Sequence, residues 1–156
     1  MIRTLKDLFD SFTAPARPSA EEQSHALRLA TAVLLVEVMR ADPAIDAREQ
    51  QAVIVTLEKQ FALTADEVAL LMQAAERAAR DANDYFRFTS TLNEHVPHPQ
   101  KIQIVENMWR VAYADAHLGA HENQVVNKVA GLLHVTHGEY IAAKLRAKEA
   151  ASLLNN

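Results

Sequence analysis

Residues that break helices are scarce in this 156-residue chain and fall in a few short segments. There are only three glycines, and the five prolines lie at positions 15, 18, 43, 97 and 99. Between these positions apolar residues recur at helical spacing, as in Leu27, Ala30, Leu34 and Val38, with no lasting period of two. Glycine and proline are the residues least compatible with a helix interior. The sequence therefore predicts an all-α fold.

Capping boxes mark several helix starts, because an N-cap side chain followed three residues later by Glu satisfies amide donors at both positions. Four pairs fit this pattern: Ser19 with Glu22, Asp46 with Glu49, Thr64 with Glu67, and Thr136 with Glu139. Combined with the apolar spacing, they predict seven to eight helices. The predicted helices lie at about 2–12, 20–41, 47–60, 65–80, 83–94, 98–114, 120–134 and 137–153.

The length suits one compact domain with a single core, in which Trp109 and its neighbours Met108 and Tyr113 are expected. Residues 1–19 form an amphipathic arm and a proline-containing linker, and residues 20–156 form the helical domain. The apolar face of the arm is formed by Leu5, Leu8, Phe9 and Phe12. The sequence leaves open whether this arm packs on the domain.

One sequence pattern occurs twice in the chain. Residues 38–53 align with residues 111–126 at an offset of 73, and both read Val-x-x-Ala-Asp-x-x-[Ile/Leu]-x-x-x-Glu. The capping box at Thr64 aligns with the box at Thr136 at an offset of 72. Two matches in the same order at nearly the same offset indicate a tandem duplication of a three-helix unit, at about residues 26–80 and 100–153.

Each copy places an Asp where one helix ends (Asp42, Asp115) and a Glu in the first turn of the next (Glu49, Glu122). The negative end of the helix dipole disfavours a carboxylate, so the two Asp residues call for nearby positive charge. Carboxylates and turn carbonyls bind hard divalent cations. Together with Asp46, these residues form a candidate metal site, with Ca²⁺ or Mg²⁺ favoured. Packing of the copies about a pseudo-two-fold axis would bring the two acidic turns together.

Two other interpretations of the turns stay open. The glutamates also serve as helix caps, since an acid in a first turn interacts favourably with the helix dipole. His117 and His121 flank the second turn and are candidates for a zinc site. The first copy has Ala44 and Arg48 at these positions, so zinc is less favoured than Ca²⁺ or Mg²⁺.

Composition and motifs exclude several classes of function. A net charge of −4 with mixed signs offers no footprint for a nucleic acid backbone. The absence of cysteine excludes disulfides and thiolate chemistry. No nucleophile elbow, phosphate-binding loop or dinucleotide fingerprint occurs, so we expect a non-enzymatic protein.

The same features predict where the protein resides. The longest apolar run, residues 32–36, is far shorter than the ~20 residues that span a bilayer. The N-terminal segment contains acids and has no continuous apolar stretch, unlike a secretory signal. We therefore expect a cytoplasmic protein.

The doubled Ala-Asp-x-x-[Ile/Leu]-x-x-x-Glu pattern, in an all-helical chain of this length, resembles the tellurite-resistance TerB-like family over about residues 26–150. The resemblance implies a cation site at the matching acids, Asp42, Glu49, Asp115 and Glu122, and a link to tellurite and stress responses. The family pattern has Gly after the Asp, whereas this chain has proline at position 43 and alanine at position 116. Carbonyl ligands that depend on a left-handed glycine are therefore in doubt. The alternative is a helical protein-interaction module, of adaptor or co-chaperone type, with an unidentified partner and acids that only cap helices.

Overall fold

The computed structural model describes residues 19–41, 47–81, 85–114 and 119–154, which form seven α-helices and no strand. The helices are α1 (Ala20–Arg40), α2 (Ala47–Phe61), α3 (Ala65–Asp81), α4 (Phe86–His95), α5 (His98–Ala112), α6 (Ala120–Leu132) and α7 (His137–Leu154). The all-α prediction is confirmed, and the predicted bounds of these helices are correct to within three residues. The predicted helix at about 2–12 lies outside the described residues, as does all of the arm and linker except Ser19.

Helices α1 and α5 form the centre of the fold. Residues 30–36 of α1 and 104–109 of α5 are buried without interruption, as expected for helices covered on all sides. Trp109 and Met108 are fully buried, which confirms them as core residues, whereas Tyr113 is only partly buried. The Trp109 ring lies 6.0 Å from the ring of Tyr113 and 5.4 Å from that of Tyr140. Aromatic packing thus joins α5 to α7.

The first and second halves of the chain share one order of packing. Helix α3 packs on α1, and α7 packs on α5, so in each half the third helix covers the first. Across the halves, α1 contacts α6 and α5 contacts α2, so the first helix of each half meets the second helix of the other. The short helix α4 lies on α1 and α6.

The connections α2–α3 and α6–α7 have the same backbone conformation. Ala62 and His134, which are 72 positions apart, have positive φ angles of 52° and 62°. The next amide in each connection, of Leu63 or Val135, donates to a carbonyl five residues earlier, at 3.1 and 3.0 Å. A left-handed residue followed by such a bond is the usual way to satisfy the last carbonyls of a helix. Both connections therefore end the preceding helix in the same way.

The helices that follow these connections also begin alike. The amide of Glu67 donates to Thr64 Oγ1 at 3.2 Å, and the amide of Thr64 donates to Glu67 Oε1 at 3.0 Å. Thr136 and Glu139 make the same two bonds at 3.2 and 2.9 Å. The capping boxes predicted at Thr64 and Thr136 are thus complete. At Ser19 the hydroxyl accepts from the Glu22 amide at 3.1 Å.

Candidate metal centre and its flanking clefts

Glu49 and Glu122 are among the most buried side chains of the molecule. Glu49 is 0% exposed and Glu122 is 1% exposed. Both carboxylate oxygens of Glu49 and Oε2 of Glu122 are shielded from solvent. Each residue stands in the first turn of its helix, α2 or α6, and the two are 73 positions apart. The matching glutamates of the repeated pattern therefore share an environment that the sequence did not predict.

The register of the two helices explains this burial. Glu49 lies on the face of α2 that also carries Val53 and Leu57, and both of these are 0% exposed. Glu122 lies on the corresponding face of α6, above the buried residues Val126 and Ala130. Residues four and eight positions apart share one side of a helix. Each carboxylate therefore continues an apolar stripe towards the N-terminus of its helix.

The Glu122 side chain folds back over the residue that caps its helix. Gly119 is the N-cap of α6, and the Asn123 amide donates to its carbonyl at 3.1 Å. A Cβ atom on Gly119 would lie 3.6 Å from Oε1 of Glu122, which is an ordinary van der Waals contact. The carboxylate is thus close to the backbone of the turn that leads into α6.

The other predicted site residues are only partly covered by the structure. Asp42, Asp46 and Asp115 lie outside the described residues, and so does His117. His121 is exposed. Within the described ranges, no group of three His, Asp or Glu side chains is close enough together to hold a metal ion. The structure therefore fixes the environment of two of the five candidate ligands.

Two clefts open beside these glutamates, and equivalent residues line them. Cleft 1, of about 500 Å³, is lined by Arg40, Ala41, Tyr85, His121, Gln124, Val125 and Lys128. Cleft 2, of about 370 Å³, is lined by Arg48, Gln51, Ala52, Val55, Tyr113 and Ala114, with Thr56, Lys59, Arg110 and three alanines of α7. Every lining residue of cleft 1 except Tyr85 has a counterpart in cleft 2 that is 73 positions away. The reciprocal contacts of α1 with α6 and of α5 with α2 produce both clefts.

Comparison with known protein families supports the resemblance that the doubled acidic pattern suggested. The family model described as "Tellurite resistance protein TerB" matches residues 28–145. The chain belongs to the TerB family. Membership relates this chain to tellurite resistance, and the matched segment includes both acidic turns and every residue that lines cleft 1. No curated protein and no solved structure matches the chain.

In this TerB chain the first-turn glutamates of α3 and α7 differ sharply from those of α2 and α6. Glu67 is exposed, and hydrogen bonds from Thr64 lower the pKa of its carboxyl group. The pKa of Glu139 is also lowered, first by the Thr136 amide and then by His98, whose Nε2 lies 2.9 Å from Oε1. These two acids have a complete explanation as helix caps.

A third buried acid, Glu106 of α5, has its charge balanced by two arginine side chains. Glu106 is 5% exposed and pairs with Arg110 at 3.2 Å and with Arg146 through its Nε. Two guanidinium groups offset the cost of its burial. Lys101, which is also buried on α5, donates to Asn93 Oδ1 at 3.1 Å.

Sequence reasoning missed cleft 1 because its walls come from segments that are far apart in the chain. The C-terminal end of α1, the residue Tyr85 and one face of α6 meet only in the folded molecule. The repeat alignment did contain a partial indication of cleft 1, because two of its lining residues lie beside the aligned acids. Arg40 is two positions before Asp42, and His121 is one position before Glu122.

Among the described helices, none is long and apolar enough to cross a membrane.

Proposed function

We propose that this TerB-family protein is a non-enzymatic divalent-cation-binding protein related to tellurite and stress responses, with its cation held by the two acidic turns. The observation that carries the proposal is the burial of Glu49 and Glu122 at equivalent positions of α2 and α6. Asp42, Asp46 and Asp115 are the further ligands that we propose.

The cost of burying carboxylates supports this proposal. An ionised carboxylate that leaves water loses several kcal/mol of hydration, and this loss must be offset by partners in the folded state. Both glutamates interact with other groups of the chain. A divalent cation bound by both carboxylates would attract each of them strongly. This attraction would offset the free-energy cost of their burial.

The two clefts support the assembly of one site from both turns. Ala41 directly precedes Asp42, and it lines cleft 1 together with His121, which directly precedes Glu122. Ala114 directly precedes Asp115, and it lines cleft 2 together with Arg48, which directly precedes Glu49. The residue that precedes each Asp therefore shares a cleft with the residue that precedes the Glu of the other turn.

Reciprocal pairing of each turn with the other is the pattern expected of two copies packed about a pseudo-two-fold axis. We therefore also infer that residues 26–80 and 100–153 arose by duplication. The shared left-handed residues, Ala62 and His134, and the paired capping boxes support this inference.

The chemistry of the ligands favours Ca²⁺ or Mg²⁺ over Zn²⁺. The proposed ligands are carboxylates, and hard cations prefer oxygen. Zinc favours His and Cys; the chain has no Cys, and His121 is exposed. Because Pro43 and Ala116 replace the glycine of the family pattern, we assign the binding to side-chain carboxylates.

The second candidate function is a protein-interaction module, and exposed apolar side chains favour it. Ile141 and Leu145 lie one turn apart on α7 and are 36% and 58% exposed, and Phe86 at the start of α4 is 65% exposed. In this alternative the acids act only as caps. This alternative predicts that metal does not change the stability of the protein.

Thermal unfolding with and without metal tests the proposal. Chelator-treated protein should melt at a higher temperature in millimolar Ca²⁺ or Mg²⁺, because a ligand of the folded state stabilises it by about 2.7 kcal/mol at a hundredfold excess over Kd. The double variant Asp42→Asn, Asp115→Asn should lose this increase. The control Asp66→Asn, Asp81→Asn removes the same charge from exposed positions of α3 and should keep it. A parent protein that is indifferent to Ca²⁺, Mg²⁺, Mn²⁺ and Zn²⁺ would end the cation proposal.

A further inference from the structure

We propose that cleft 1 is a binding site for an oxyanion of the phosphate type, held by Arg40, Gln124 and Lys128. The described residues that line the cleft include an arginine, a lysine, a histidine, the amide of Gln124 and the hydroxyl of Tyr85, and no acid. Guanidinium and ammonium groups form short, charge-assisted hydrogen bonds with phosphate oxygens. The lining of cleft 1 has the composition that such an anion requires.

Contacts within the fold hold the cationic groups in place. Arg40 Nη1 donates to Glu37 Oε1 at 3.0 Å, and the Tyr85 hydroxyl lies 3.5 Å from Glu37 Oε2. On the other side of the cleft, the Lys128 ammonium lies 5.5 Å from the centre of the Tyr85 ring. Arg40 has five N–H donors, and the bond to Glu37 occupies one of them. A site whose side chains are already positioned loses less entropy when a ligand binds.

The α6 wall presents its polar groups on a single face. His121, Gln124 and Lys128 are three and four residues apart along the helix, and all three are exposed. Residues at this spacing lie next to one another on a helix surface. His121 stands in the first turn of α6, where the helix dipole also favours a negative charge.

Cleft 2 also has cationic side chains, but they are arranged differently. Its lining includes Arg48, Lys59 and Arg110. The counterpart of Arg40 in cleft 2 is Tyr113, and the counterpart of Lys128 is Val55. Tyr85, which lies beside both cations of cleft 1, has no counterpart in cleft 2. We therefore assign the anion to cleft 1, where Arg40 and Lys128 stand on either side of Tyr85.

The oxyanion site shares no residue with the proposed cation site. Its proposed groups are cations and neutral donors, whereas the proposed metal ligands are carboxylates of the acidic turns. A test in metal-free protein with a chelator present therefore examines cleft 1 by itself, and its failure would leave the cation proposal untouched.

The test is a titration of the full-length, chelator-treated protein with inorganic phosphate at constant ionic strength, followed by ¹H–¹⁵N NMR. We expect saturable shifts at Arg40, Gln124 and Lys128. In the variant Lys128→Gln the affinity should fall about tenfold or more, because a hydrogen bond to a charged group is lost. The control Lys59→Gln removes the same charge from an exposed position in cleft 2 and should bind phosphate as the parent does.

Parallel titration with glycerol 3-phosphate identifies the source of the anion. Equal affinities for the two compounds mean that the free oxyanion is recognised, and tighter binding of the ester means that a phosphate monoester is recognised. The proposal is wrong if phosphate causes no saturable shift. It is equally wrong if Lys128→Gln and Lys59→Gln weaken binding to the same extent, because the effect is then one of total charge.

Discussion

Four glutamates stand in the first turns of helices α2, α3, α6 and α7, yet they form two contrasting pairs. Glu67 and Glu139 remain accessible to solvent and close capping boxes with threonines, whereas Glu49 and Glu122 are fully buried. Capping explains the exposed pair completely. It does not explain why the other two carboxylates are removed from water, which costs free energy. The difference supports our proposal that Glu49 and Glu122, rather than Glu67 and Glu139, belong to the cation site.

The largest expected effect is a difference in how stability responds to metal. The free energy of unfolding of the parent should rise by about 2.7 kcal/mol at a hundredfold excess of Ca²⁺ over Kd, and Glu49→Met and Glu122→Met should each lose most of this rise, because an oxygen ligand is lost. Glu67→Met should keep the rise, although the variant itself is less stable by about 0.5–1 kcal/mol because a helix cap is lost. Urea unfolding with Ca²⁺ and with chelator measures all three. A rise with Ca²⁺ in Glu49→Met as large as that of the parent would show that the buried acid is a structural cap.

A smaller effect is expected at the left-handed residues of the connections α2–α3 and α6–α7. Ala62→Gly and His134→Gly should each stabilise the protein by about 0.5–1 kcal/mol, because glycine adopts positive φ without steric cost. The control Ala69→Gly, at an exposed position within α3, should cost about 1 kcal/mol. Thermal or urea unfolding tests this prediction. Unequal effects at the two left-handed positions would argue against the equivalence of the halves.

The smallest effects concern ionisation of the acids. Because Thr64 and Thr136 lower the folded-state pKa of Glu67 and Glu139, these acids stabilise the fold above their ordinary pKa of 4.5. That contribution is lost as the pH falls below 4.5 through the lowered values. Thr136→Pro removes the amide that donates to Glu139 and should return the pKa of Glu139 towards its ordinary value, as measured by NMR of the carboxyl carbon. An unchanged pKa would contradict the capping account of the exposed pair.

Glu37 should show the opposite pH dependence. Burial raises the pKa of Glu37, although Arg40 and Tyr85 oppose the shift. The folded protein therefore binds this proton more tightly than the unfolded chain does. As the pH rises from 4.5 through the raised pKa, the contribution of Glu37 to stability should decline. A pKa below 4.5 in the same NMR titration would contradict this.

The helices and their caps could be predicted from the sequence, because they depend on residues close together in the chain. The apolar spacing and the boxes at Thr64 and Thr136 located α3 and α7 to within one residue. Burial of Glu49 and Glu122 could not be predicted in this way. Glu67 and Glu139 are also followed by buried residues four and eight positions later, yet Glu67 is exposed and Glu139 is only partly buried. Only the packing of one half of the chain on the other separates the two pairs, and periodicity carries no information about that packing.

The central claim is that the buried glutamates bind a divalent cation and the exposed ones do not. Calorimetric titration of metal-free protein with Ca²⁺ and Mg²⁺ tests it most directly. The account predicts saturable binding by the parent and by Glu67→Gln, and affinity at least about tenfold weaker in Glu49→Gln and Glu122→Gln, since each loses a charged oxygen ligand. Absence of binding by the parent, or parental affinity in Glu49→Gln and Glu122→Gln, would contradict the account.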